Sequence, residues 1–129
     1  PIRMALERGL VPVTFGDVVM HRERGAAIFS ADDAPLVLAP LIARAIFLVD
    51  VPGVLGPSGE VLPEATPEVL GFAGESGCVD VTGGMAEKLR KGFELVSRDI
   101  DVRIAGYSSR GDLMRAYEGL SGTRLVRRG

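Results

Sequence analysis

The sequence predicts an α/β fold, a three-layer αβα sandwich around an open and mostly parallel sheet. Three observations lead there. Ala45-Ile-Phe-Leu-Val49 is apolar without alternation, as a central parallel strand covered on both faces would be. Strand-length runs like it alternate with helical patterns, and such chains fold in layers around a parallel sheet. Apolar residues fill 47% of the 129 positions, enough for one core, so a single domain over residues 1–129 accounts for the chain.

The elements follow in order. Ile2 to Gly9 spaces its apolar residues at helical intervals, and Gly9 is a natural C-terminal stop. Residue 1 is proline, so these read as the last turns of a helix that begins elsewhere. Leu10-Val-Pro-Val-Thr-Phe15 is expected to form a buried strand. Val18–Met20 and Ala26–Phe29 flank the polar turn His21–Gly25 and predict a hairpin. Ser30 or Asp32 caps a helix running to Ala43, and the Ala45–Val49 strand ends at Asp50. Val51–Pro63 is rich in proline and glycine and predicts a long loop. Pro67 opens a short helix, and Gly71–Val81 is another loop. A helix over Met85–Ser97 buries Leu89, Phe93 and Val96. A strand at Asp101–Ala105, a helix at Ser109–Tyr117 and a final edge strand at Arg124–Arg127 complete the chain.

Charge and composition narrow the function. The net charge is −2 with both signs intermixed, and the basic tail Arg124, Arg127, Arg128 reads as a solvated end, so no nucleic-acid partner is expected. No apolar run approaches the ~18 residues of a membrane span, and no membrane partner is expected. A single cysteine rules out an internal disulfide and fits a cytoplasmic protein.

Val79-Asp-Val-Thr-Gly-Gly-Met-Ala-Glu-Lys88 carries the most chemistry. Gly83 and Gly84 stand at the mouth of a helical run, where backbone N–H groups can approach a phosphate with no Cβ in the way. The helix N-terminus adds partial positive charge, and Lys88 a full charge about one turn in. Lys88 and Lys91 are the only lysines among 15 basic residues, and a lysine here suits a point-charge role. Ligands of open α/β sheets gather at the carboxyl ends of strands. Gly16-Asp17, Ala31-Asp32-Asp33 and Asp50 each follow an expected strand. Such a set suits phosphoryl transfer, where a protein mainly positions groups and neutralises charge. Taken singly, each piece has a plainer reading: Asp32 as a cap, Asp50 and Gly16-Asp17 as turn residues, Gly83-Gly84 as a turn feeding a helix. His21 reads as a solvated turn residue, and Cys78 as a loop residue with no catalytic role.

Order and spacing say more than any piece. Gly9-Leu-Val-Pro-Val, Gly16-Asp-Val-Val, Phe29-Ser-Ala-Asp-Asp33, Phe47-Leu-Val-Asp-Val-Pro-Gly-Val54, Asp80-Val-Thr-Gly-Gly-Met with Lys88, and Gly119-Leu-Ser-Gly-Thr123 together resemble the amino-acid kinase superfamily, in its nucleotide-binding C-terminal half. Gly16-Asp17 and Asp80–Met85 look most like isopentenyl phosphate kinases. Acetylglutamate and fosfomycin kinases share parts of the pattern.

The resemblance implies roles. Lys88 would touch the transferring phosphate, and Asp32 would orient the catalytic lysines. Asp50, Gly53, Gly83 and Gly84 would line the nucleotide site, while Ala31, Gly16 and Asp17 would hold the acceptor. Two departures stand out: Ala31 where isopentenyl phosphate kinases more often have glycine, and Pro52 where the family often has an acid. The substrates implied are ATP, with Mg²⁺ held mainly through its phosphates and no protein metal site, and a small phosphate acceptor. The family's N-terminal half carries a glycine-rich phosphate loop and another lysine, which cannot be placed here. That half, or a partner chain supplying it, is therefore expected. An open sheet edge would invite pairing, a homodimer being one arrangement. A non-catalytic nucleotide-sensing domain is the reading from another class.

Overall fold

The computed structural model describes residues 1–71 and 83–128. The expected loop of 71–81 lies outside the described residues apart from Gly71, and Cys78 and Asp80–Thr82 go with it.

Helix α1 (Ile2–Glu7) stops before Gly9, which takes φ +70°. Strands β1 (Asp17–His21) and β2 (Gly25–Phe29) pair antiparallel, with Gly25 at φ +75° closing the hairpin. β3 (Arg44–Val49), β4 (Glu64–Ala65), β5 (Asp101–Gly106) and β6 (Thr123–Leu125) form a sheet in the order β3-β5-β6-β4. β3 runs parallel to β5 and β4 parallel to β6, and β5 meets β6 antiparallel.

The alternation along the strands explains the layers. Ala45 lies beside Val102 and Phe47 beside Ile104, so all four point to one face. They are buried there with Leu89 and Leu95 of α3 (Gly83–Ser97). Leu89, Leu95 and Ile104 are fully buried, each contributing roughly 1.5–3 kcal/mol relative to exposure. The opposite face is covered more thinly, by α4 (Asp112–Tyr117), where the Arg44 guanidinium lies 4.6 Å from the centre of the Tyr117 ring. Asp101 ties the amino ends of β3 and β5 to β6, 2.7 Å from Arg44 and 3.0 Å from Arg124. Burial works against its charge, but the two arginines hold its carboxyl below the usual range.

Four expectations are corrected. Leu10–Phe15 forms no strand and is largely exposed, with Val11 at 87% and Val13 at 90%. Among the described residues no strand runs beside it to take its hydrogen bonds, so its β propensity goes unused. Ala45–Val49 is an edge strand of the described sheet, not a central one, and only its α3 face is well covered. The final strand is interior, flanked by β5 and β4. β4 itself is too short, at two residues, to leave a pattern.

The fourth correction concerns the helix expected over Ser30–Ala43. It is three pieces: a 3₁₀ turn at Ala31–Asp33, α2 (Ala34–Leu38) and a second 3₁₀ turn at Ala39–Leu41. Pro40 has no N–H to give the carbonyl four residues back, which breaks the ladder. That carbonyl, Leu36 O, accepts instead from Arg98 Nη1 at the far end of α3, at 3.3 Å.

Candidate active site

The capping residue expected at Ser30 is there. Ser30 Oγ accepts from the Asp32 N–H at 3.2 Å, and Asp33 Oδ2 accepts from the Ser30 N–H at 3.1 Å, a reciprocal capping box. The box fixes the turn that presents two adjacent carboxylates to α3. Lys88 Nζ lies 2.7 Å from Asp32 Oδ2, and Lys91 Nζ lies 2.6 Å from Asp33 Oδ1. The hydrogen bond to Lys91 draws the Asp33 carboxyl below its ordinary range, and in return Asp33 raises the Lys91 ammonium.

Lys88 also reaches the carboxyl end of the sheet. Asp50, Val51, Leu55, Gly84, Met85 and Lys88 line one hollow of about 340 Å³. The head of α3 thus faces the end of β3, where helix polarity and the ammonium both favour an anion. A Cβ on Gly84 would touch nothing within 4 Å, so packing places no demand for glycine there. Gly83 begins the same helix. A second hollow of about 360 Å³ shares Asp50 and Val51 and continues past Tyr107, Ser108, Asp112 and Ser121. Asp112 accepts from the N–H groups of Ser108 and Ser109, each at 2.8 Å, which holds its carboxyl down at about 2.

The other singled-out residues sit around this centre. Gly16 packs against the entry to the capping box: a Cβ there would lie 2.9 Å from Phe29 O and 3.1 Å from Ala31 N. Asp17 accepts from the N–H of Val18 at 2.7 Å and is exposed, as is Ala31. Gly53 is buried, where a Cβ would come 2.8 Å from Thr123 Oγ1. That hydroxyl accepts from the Val54 N–H at 2.9 Å and donates to Leu62 O at 2.6 Å, closing the 51–63 loop. His21 Nδ1 accepts from the N–H groups of Glu23 and Arg24, each at 3.2 Å, as a turn residue does. The sequence reading left the Lys91–Asp33 pair and the Tyr107–Asp112 wall unremarked. Their signals were the three-residue spacing of the two lysines and the serines preceding Asp112.

The fold and this rim define an α/β protein with a lysine-lined hollow where the head of α3 meets the end of β3. The model of the amino acid kinase family matches residues 1–106, and the chain belongs to that family. An isopentenyl phosphate kinase of Haloferax volcanii is 44% identical over 90 residues, which cover 67% of this chain and 36% of that protein. Another isopentenyl phosphate kinase, from Methanothermobacter thermautotrophicus, is 32% identical over 97% of this chain and 52% of its own length. A crystal structure of an isopentenyl phosphate kinase superposes with a TM-score of 0.75 at 26% identity, covering 97% of this chain and 49% of that one. The chain thus spans about half the length of these proteins at most. No helix among the described residues is long and apolar enough to cross a membrane.

Proposed function

We propose that this chain is the ATP-binding part of an isopentenyl phosphate kinase. The whole enzyme moves the γ-phosphoryl group of ATP to the phosphate of isopentenyl phosphate, giving isopentenyl diphosphate. The Pγ–O bond to the β-phosphate breaks, a bond to an acceptor oxygen forms, and ADP leaves. One observation carries the reading: Lys88 belongs at once to the hollow shared by Gly84 and Asp50 and to the ion pair with Asp32.

In this reading Lys88 neutralises charge that builds on the transferring group, and Asp32 sets its position. The acceptor is already an anion, so no side chain need act as base. Asp50, Gly53, Gly83 and Gly84 serve the nucleotide, with Gly53 acting through the loop it lets close. Gly16, Asp17 and Ala31 serve the acceptor. Among the described residues no group of three His, Cys, Asp or Glu side chains could hold a metal by itself. Magnesium enters as part of the Mg-ATP substrate, held mainly through its phosphates.

The exposed run Leu10–Phe15 packs against the polypeptide that corresponds to the rest of the relatives' length. The enzyme works in the cytoplasm. The test is ADP release by the full-length protein with Mg-ATP and a panel of isopentenyl phosphate, acetylglutamate and fosfomycin. Efficient release with isopentenyl phosphate alone is expected. Release with another acceptor reassigns the substrate. Thermal stabilisation by Mg-ATP without consumption identifies a nucleotide sensor.

A further inference from the structure

We propose that Lys91 and Asp33 are positioning residues that hold Asp32 against Lys88; this rests on the functional reading above. Lys91 is three residues beyond Lys88, so both ammonium groups leave the same face of α3. Asp32 and Asp33 are consecutive in a 3₁₀ turn, so their side chains leave it about a third of a turn apart. Each takes its own: Asp32 faces Lys88 at 2.7 Å and Asp33 faces Lys91 at 2.6 Å.

The two pairs are joined through Ser30. Lys91 holds Oδ1 of Asp33, whose Oδ2 accepts from the Ser30 N–H at 3.1 Å. Ser30 Oγ accepts in turn from the Asp32 N–H at 3.2 Å. The path Lys91, Asp33, Ser30, Asp32, Lys88 is thus continuous, and the lysine farther from the hollow is the more enclosed. Its side chain is 13% exposed against 22% for Lys88. Lys91 is placed as a brace: it lines no part of the hollow that Lys88 enters. The mutual shifts of Asp33 and Lys91 toward their charged forms agree with a pair that stays ionised. A small misplacement of a catalytic group lowers the rate of the bond-making step more than it lowers binding.

The experiment uses the full-length kinase with Lys91→Met, Asp33→Asn, Lys91→Arg and the control Lys88→Ala. The expected result for Lys91→Met is a kcat about tenfold lower with KM for ATP within about twofold. Lys91→Arg restores most of the rate, and Lys91→Met combined with Asp33→Asn falls no further than the worse single variant. Amide hydrogen exchange gives a readout separate from turnover. In Lys91→Met the Ser30 and Asp32 amides exchange faster while Leu95 is unchanged. Wild-type kcat in Lys91→Met beside an impaired Lys88→Ala overturns the brace and leaves the functional reading standing, as do unaltered Ser30 and Asp32 exchange rates. Wild-type turnover in Lys88→Ala overturns both.

Discussion

Lys88 Nζ and Asp32 Oδ2 stand 2.7 Å apart across 56 residues of sequence, joining the first turns of α3 to the capped turn after β2. Both side chains are only partly exposed, at 22% and 31%. The ammonium is therefore fixed in place without being sealed from a ligand. Removing a charge-stabilising group from such a site costs on the order of 3–4 kcal/mol of barrier. Lys88→Ala is expected to lower turnover of the full-length kinase by about two orders of magnitude or more. Steady-state ADP release measures it, and unchanged turnover removes Lys88 from the mechanism.

Gly16 lies under the same turn. Any side chain at this position meets backbone, Phe29 O at 2.9 Å and Ala31 N at 3.1 Å, and backbone cannot swing aside as a side-chain tip can. Gly16→Ala is expected to cost about 1–3 kcal/mol, by forcing the turn away from β1. A denaturant midpoint equal to that of the unaltered protein would contradict the close packing.

These two residues show what the sequence could disclose. The positions of Asp32, Asp50 and Lys88 were legible because the carboxyl end of a strand or the start of a helix sets each in place, whereas Gly16 was expected to follow a strand and instead precedes β1. Leu10–Phe15 misled for a physical reason: strand propensity reports fit to a neighbour, and no described strand supplies one. The edge position of β3 was equally hidden, because an apolar run does not say which strands lie beside it. β4 left no pattern at two residues, and the breaks around α2 needed the effect of Pro40 weighed against the apolar spacing of Leu36, Leu38, Leu41 and Ile42.

Thr123 offers a test of the loop after Asp50. Its hydroxyl is wholly buried and serves both the Val54 N–H and Leu62 O. Thr123→Val keeps the shape but strands both partners, at roughly 1–3 kcal/mol for each buried group left unmade. Chemical denaturation of Thr123→Val against Thr123→Ser separates the two effects, since serine keeps the hydroxyl. A loss in Thr123→Ser with none in Thr123→Val would show that the methyl, not the hydrogen bonds, matters.

Asp112 sets an acid limit on the α4 end of the rim. Its carboxyl is held at about 2, against an ordinary 3.8, by the Ser108 and Ser109 N–H groups. A depressed carboxyl stabilises the fold above its unfolded value and loses that contribution as pH falls through the folded one. The melting temperature is therefore expected to decline as pH drops from 3.8 toward 2, with Asp112→Asn showing a shallower decline over that range. An identical pH profile in the two proteins would exclude Asp112 as a source.

Arg98 takes up the Leu36 carbonyl that Pro40 leaves free, while Lys88 and Lys91 hold the acids at the other end of the same stretch. Two cations in α3 and a third just past its end thereby hold one short segment at its start and its middle. The helix and the segment form a lever arm rather than two parts with a joint between them. Relative motion of α3 and this segment would have to break these contacts first.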